Sequence, residues 1–378
     1  MKILKVRFQF IFSLFILMIM SLGVMEQKNV IAKQNNISGE DTNDKTIKFP
    51  EVYEENIDEG LRFQARIYPP VNLQNENVEI QVTYKDIDFD TALKELFADV
   101  GKIKREEMII QPENSLYQSA YGEQDEVMAN GIGMFRMEKT HWKKVKNAIE
   151  ISQKDLRYNA ELYMEPRQFD FGTSEEIWDK LQITLHKLGV EEELKATTFY
   201  MDYQTMEKED EKDRKRNEDR AVEDKSIWNK ADNGYYISAV QCINGNTVFA
   251  NTYFGNGIEG KEDTANVLAY IDESGIQMLE LTRIIDQTYE TEKTWEMLPF
   301  EEIINAVKKR FGLVITGDKV EIEEFQFSYM TEAIDENVYR LIPVWFCNYR
   351  QIGQDGSERM HQLIVHAATG EEVLYELY

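Results

Sequence analysis

Cysteine, histidine and proline are all scarce in this sequence. Among 378 residues there are two cysteines, four histidines and seven prolines. Two cysteines exclude a disulfide-built scaffold and a cysteine-based zinc ribbon. Four histidines leave little material for histidine catalysis. Seven prolines and twenty glycines exclude a collagen-like or proline-rich architecture. A basic surplus is missing: 43 Lys and Arg stand against 69 Asp and Glu, a net charge of −26. Phosphate binding needs a Lys/Arg surplus, so nucleic acid is excluded as a ligand class. The sequence also lacks H-E-x-x-H, G-x-S-x-G, S-x-x-K and Walker motifs. What remains is ample for a core. With 42% hydrophobic and 11% aromatic residues the chain is not disordered, and its length suits two domains or one elaborate one.

The first thirty residues carry the longest apolar run. Lys2, Lys5 and Arg7 precede Phe8 to Met25, which is broken by Gln9, Ser13, Ser21 and Gly23. The small-residue site Val30-Ile31-Ala32 follows. A basic start, an apolar middle and a small-residue site predict a secretory signal, cleaved after Ala32 or, as a second choice, after Gly23. The run of about 18 residues also reaches the lower length of a membrane span, so an uncleaved anchor stays open. Either way the charge asymmetry predicts that the rest of the chain is exported. Removing Lys2, Lys5 and Arg7 takes the net charge from −26 to −29. Such a surface suits simple solubility, and would attract a cationic peptide, a metal ion or a basic patch on a partner.

Five regions are expected: 1–32 as signal or anchor, 33–47 as a polar tether, 48–165 as an N-terminal α+β region, 166–260 as a first helix–strand–strand unit, and 261–378 as a C-terminal helix–strand unit. Leu61, Phe63, Ala65 and Ile67 alternate as one face of a strand, and so do Val78, Ile80, Val82 and Tyr84. Phe89, Leu93, Leu96 and Phe97 predict a short helix. Thr173-Ser174-Glu175-Glu176 is a capping box. It opens a helix with Ile177, Trp178, Leu181, Leu185 and Leu188 as its apolar stripe and Gly189 as its stop. Pro299 opens another helix, with Phe300, Ile303, Ile304, Val307 and Phe311 inward, and Gly312 ends it. Strands are expected at 319–330, 338–348 and 361–367, the last two joined by a turn at Asp355-Gly356. The two helix–strand units look alike, a weak internal repeat. Residues 207–225 carry nine acids and seven bases. They predict a solvated extension or charged surface helix, with a docking loop as the alternative.

Few features carry chemistry. Gly255-Asn256-Gly257-Ile258-Glu259-Gly260 matches G-x-G-x-x-G, but Lys261-Glu262-Asp263 and an apolar strand-like run follow it instead of a helix, so a glycine-rich turn is expected and no nucleotide. Asp86, Asp88 and Asp90 begin like a calcium loop. Thr91 and Phe97 stand where that loop requires Gly and Glu, so an N-cap role for Asp88 or Asp90 is expected. His361 and His366 lie five apart on a strand and face opposite ways, so they cannot share a metal. His141 and His186 have no ligand spacing. No catalytic, cofactor or metal residues are assigned. Cys242 and Cys347 each lie in a strand-like run and form a candidate disulfide, with two separate buried thiols as the alternative.

Tyr339-Arg340-Leu341-Ile342-Pro343-Val344-Trp345, followed by a Gly/Asp turn and Ile364-Val365-His366-Ala367-Ala368-Thr369-Gly370-Glu371, resembles the ending of extracytoplasmic Gram-positive proteins. Among these are the YycH/YycI-type accessory regulators of a sensor histidine kinase and a set of exported, often lipid-anchored proteins. The segment is also similar to the helix–strand–strand unit of PepSY-type domains. The match covers about the last 80 residues, with a fainter echo at 173–243. The resemblance implies no catalytic residues. The lipid-anchored relatives would carry a cysteine after the signal, and this chain has none there.

The expected fold is α+β, with serial antiparallel sheets each packed by a helix. The expected function is non-enzymatic: an exported binding or regulatory protein acting on a protein partner at the outer membrane face or in the cell envelope, with no cofactor, nucleotide or nucleic acid. A wall-directed hydrolase with an unlocated carboxylate pair and a binding module for cationic peptides are the alternatives.

Overall fold

The computed structural model describes residues 49–71, 76–97, 103–110, 115–122, 127–131, 133–150, 159–216, 226–249, 265–312, 317–335 and 338–373. The expected signal or anchor at 1–32, the expected tether at 33–47, the glycine motif at 255–260 and the second half of the charged segment lie outside these residues.

The first part of the chain forms β1 (Val52–Asn56), β2 (Leu61–Tyr68), β3 (Glu76–Tyr84), α1 (Phe89–Leu96), β4 (Lys104–Ile110), β5 (Ser115–Tyr121), β6 (Val127–Gly131), β7 (Met134–Glu138) and α2 (Thr140–Val145). Next come α3 (Ser174–Lys187), β8 (Glu193–Met201), α4 (Tyr203–Arg216), β9 (Gly234–Ile243), β10 (Asn246–Phe249), β11 (Val267–Asp272), β12 (Gly275–Thr282) and β13 (Ile285–Glu296). The chain closes with α5 (Phe300–Gly312), β14 (Lys319–Asp335), β15 (Val338–Ile352) and β16 (Glu358–His366). Short 3-10 turns stand at Ala160–Tyr163 and Lys230–Asp232.

The expectation of serial antiparallel sheets, each packed by its own helix, is corrected. Strand outweighs helix, 50% to 24%, and the strands are hydrogen-bonded neighbours in one mixed sheet. Its parallel pairs join distant parts of the chain: β14 runs parallel to β2 (Val320↔Leu61, Phe325↔Ile67) and to β10 (Val248↔Tyr329). Local helix and strand grammar identifies elements, but a partner some 260 residues away leaves no local mark.

The chain divides into two compact units, each assembled from separated stretches. The first holds residues 49–78, 293–328 and 343–373. Its β2 alternates as the sequence predicts: Leu61, Phe63, Ala65 and Ile67 are buried while Arg62, Gln64 and Arg66 are exposed. β15 and β16 pair antiparallel from Val344↔His366 to Ile352↔Glu358. The turn between them places Gly356 at φ 78°, a left-handed conformation that favours glycine. The buried stripe of α5, Phe300, Ile303, Ile304 and Val307, meets one sheet face. The Phe300 ring lies 5.4 Å from Phe325 and 5.0 Å from Trp345.

The second unit holds residues 79–292 and 329–342. Antiparallel pairing runs β8–β9–β11–β12–β7–β6–β5–β4. β9 and β10 are joined by Asn244-Gly245 with φ 53° and 76°, the dipeptide and dihedrals of a tight hairpin turn. α1 and α3 bury Phe89, Leu93, Ile177, Leu181 and Leu185 in a common core with Tyr235, Ile237, Val267, Ala269 and Leu279. Intervening residues point the other way, where Trp142 of α2 stacks on Tyr236 at 5.8 Å and lies 5.3 Å from Tyr270. β9 and β11 are thus buried on both faces, and so read as near-continuous apolar runs.

Local expectations hold within these units. Thr173 Oγ1 accepts from Glu176 N at 3.2 Å and Glu176 Oε2 accepts from Thr173 N at 3.0 Å, the reciprocal capping box. Gly189 stops the helix at φ 82°. Asp88 caps α1 by accepting from Thr91 N at 2.8 Å. The first half of the charged segment is helical, as α4, yet not simply solvated: Glu209, Asp210 and Asp213 are buried.

Candidate functional site

A buried ionic cluster lies in the second unit and centres on His141, a residue without any ligand spacing in the sequence. α2 projects His141 and Lys144 from successive turns of one face. The end of β11 brings Asp272, and the 3-10 turn brings Asp232. His141 Nε2 stands 2.9 Å from Asp232 Oδ1, and Nδ1 lies at close range to Asp272 Oδ2. An ionised carboxylate only accepts and a neutral imidazole carries one N–H, so the ring satisfies both carboxylates at once as an imidazolium and only one of them when neutral. The bond to Asp272 raises the His141 pKa, burial opposes it, and the bond to Asp232 adds to the rise.

The carboxylates are well supplied. Asp272 Oδ1 accepts from Ser274 N at 2.7 Å and from Gln277 Nε2 at 3.1 Å. Asp232 Oδ2 accepts from Asn229 N at 2.7 Å, and its Oδ1 also receives the Lys144 ammonium. Burial alone would push Asp232 up, but the bonds from Lys144 and His141 outweigh it and hold the carboxyl below its usual range. The two side chains are 5% and 1% exposed, so these charges are balanced inside the protein instead of by water. Two cations face two anions. The imidazole stands between the carboxylates, so the three donor sets point at one another and not at a shared centre. Among the described residues no group of three or more His, Cys, Asp or Glu is placed to hold a metal.

The cluster fastens residues 226–233. Lys144 Nζ donates to Ile227 O at 2.7 Å and lies 4.8 Å from the Trp228 ring centroid. Trp228 Nε1 donates to Asp210 Oδ2 of α4 at 3.4 Å, and Tyr270 Oη donates to Asp232 O at 2.9 Å. Asn159 Nδ2 donates to Glu209 Oε2 at 3.0 Å. Part of the charged segment therefore serves as an internal anchor. His141 is 91 residues from Asp232 and 131 from Asp272, so no spacing rule could have found the set. The one local signal was the i, i+3 pair of His141 and Lys144.

The same unit ends in an exposed strand. β4 is the last strand of its path and pairs with β5. Residues 104–109 are exposed on both faces, including the neighbouring Met108 and Ile109 at 58% and 62%. The charges beside them are spent locally: Arg105 pairs with Asp90 at 2.5 Å, and Gln118 donates to Glu107 at 3.0 Å.

The other sequence candidates are dispersed. Cys242 and Cys347 are each buried free thiols. Burial pushes Cys242 up to about 11 and raises Cys347 as well, which removes the thiolate character a nucleophile needs. His361 stacks on Tyr349 at 5.2 Å, whereas His366 packs against Trp295 at 5.0 Å. Asp88 is engaged as a cap.

No family model matches the chain, and no curated protein does. Solved structures do share its fold. An uncharacterized protein from Eubacterium rectale ATCC 33656 is similar over 86% of this chain and 94% of its own, with a TM-score of 0.63 and 15% sequence identity. At that identity the likeness concerns architecture alone. No helix among the described residues is long and apolar enough to cross a membrane.

Proposed function

We propose that this chain is an exported, non-enzymatic binding or regulatory protein that contacts a protein partner at the outer face of the membrane or in the cell envelope through the open edge of β4. The edge itself carries the reading. A strand with one unsatisfied row of backbone N–H and C=O groups is a template for strand addition, and natural proteins usually cover or charge it. Here the charged half, Lys104–Glu107, is internally paired, while Met108 and Ile109 offer apolar surface beside an edge that no described strand pairs. The basic and apolar leader at 1–32 supports export. The likeness of 339–371 to YycH/YycI-type regulators supports a partner at the membrane. Strand addition would bias the partner's conformation by holding one of its segments extended.

The test places a photo-crosslinking amino acid at Met108 in the native cell, with the exposed Ile183 of α3 as the control site. The expected result is one discrete adduct with an envelope or membrane protein at position 108, weaker at 183, together with an exported chain in the fractionated cells. Equal labelling at both sites, or a chain retained in the cytoplasm, would sink the proposal.

A further inference from the structure

Residues 226–233 form a strap whose own backbone bonds are local: Asp232 N donates to Asn229 O at 3.0 Å and Asn233 N to Lys230 O at 3.2 Å. Its fastening to the rest of the unit runs through Asp232, the Ile227 carbonyl and the Trp228 indole, with Asn233 Oδ1 accepting from Tyr203 N at 2.8 Å at its far end. The groups facing His141 are Lys144 from its own helix, Asp232 from the strap, and Asp272 from β11, whose other oxygen is held by the neutral Gln277 of β12. The Tyr270 phenol ring lies 6.3 Å away. With His141 charged, two cations balance two carboxylates. If it loses one proton, a ring lone pair faces a carboxylate, one bond is lost, and the buried cluster carries an excess negative charge.

We propose that the His141 imidazolium is a proton-operated clasp: charged, it pins the strap 226–233 through Asp232, and on giving its proton to solvent it loosens the strap and bares Trp228. Trp228 is 7% exposed in the fastened state, while its neighbour Ile227 is 83% exposed. Opening therefore turns a single exposed apolar residue into an apolar pair. The sign follows from the two partners. His141 titrates above its ordinary 6.5, so its contribution is complete below that value and is lost as pH rises through the folded pKa. Asp232 titrates below its ordinary 3.8, so its contribution is lost only as pH falls through that lower value. The clasp is closed between the two ordinary values, 3.8 and 6.5, and opens as pH rises through the raised folded pKa of His141. It is independent of the β4 edge and stands or falls apart from it.

The experiment is amide hydrogen exchange of the full exported chain across a pH series, with the intrinsic pH dependence of exchange divided out. The His141 imidazole is titrated by NMR in the same samples and assigned by its absence in His141→Gln. Protection of the Asn229, Ala231, Asp232 and Asn233 amides should fall by about tenfold or more, the worth of one charged hydrogen bond. Its midpoint should coincide with that of His141, while the β9 amides stay protected. In His141→Gln the strap should exchange fast at every pH, with no step. The wild-type series decides the matter by itself if that variant does not fold. Strap protection that stays flat while His141 titrates would overturn the clasp, and so would a wild-type step surviving in His141→Gln.

Discussion

A Cβ built on Gly234 would stand within 2.5 Å of the Cζ and Oη atoms of Tyr270. That ring cannot retreat: it is fully buried, and its hydroxyl donates to Asp232 O. Gly234→Ala should therefore cost about 1–3 kcal/mol by overpacking, read as a lower urea midpoint at unchanged slope; an unshifted midpoint would contradict the packing described. Glu324, in the first unit, shows a different residue-scale conflict. Burial pushes its carboxyl up to about 7, against the pull of Asn348 Nδ2, which donates to its Oε1 at 2.9 Å, and of Arg66. The folded state then holds this proton more tightly than the unfolded chain, whose carboxyl titrates near 4.5. Stability is fullest below that value and is lost as pH rises towards the folded pKa. Glu324→Gln keeps an oxygen for Asn348 and removes the titration. It should flatten the stability–pH curve in this window and gain on the order of 1–2 kcal/mol at pH 8. Parallel wild-type and variant curves in urea melts from pH 4 to 8 would show the assignment to be mistaken.

At the scale of elements, α3 displays how little local sequence is needed to place a helix. Its capping box and its C-terminal glycine bound it, and Ile177, Leu181 and Leu185 bury its stripe. Thr173→Ala removes the acceptor for Glu176 N and should cost about 1 kcal/mol, while Thr173→Ser should cost little. Thermal melts of the two variants check this, and equal losses would mean that the hydroxyl is not the cap. α4 makes the opposite point. Its sequence reads as a solvated charged face, yet Glu209, Asp210 and Asp213 are buried. Asn159 and Trp228 meet two of them from outside the helix. Charge content left a solvated extension and a surface helix equally open, and could not say which acids would be drawn inside, because their partners come from other elements.

For the molecule as a whole, the thiols report on how well the interior is sealed. Cys242 and Cys347 are both buried, and burial raises both thiols. Native protein at pH 8 should resist alkylation at both positions and take up two adducts after unfolding in denaturant, as read by intact mass. A native chain two hydrogens lighter than the dithiol form would instead mean a disulfide. The net charge of −26 favours solubility over association with anionic surfaces. Inside the fold, some of these acids are matched by cations, as in the His141 cluster.

The sequence by itself determined the elements whose causes are local. The alternation at Leu61–Ile67 marks a strand with one buried face. Asp88 and Thr173 mark helix starts, and Pro299 and Gly312 bracket α5. The failure of Thr91 and Phe97 to complete a calcium loop points to a cap at Asp88 or Asp90, and Asp88 forms it. Tertiary structure alone decided the rest. A parallel partnership such as β2 with β14 depends on burial and backbone pairing across some 260 residues, and any strand of similar pattern would satisfy the same alternation. The clasp depends on bringing His141 to carboxylates 91 and 131 positions away. Its chemistry resides in no motif, because the cost of burying each charge is met only once the fold has set its opposite beside it.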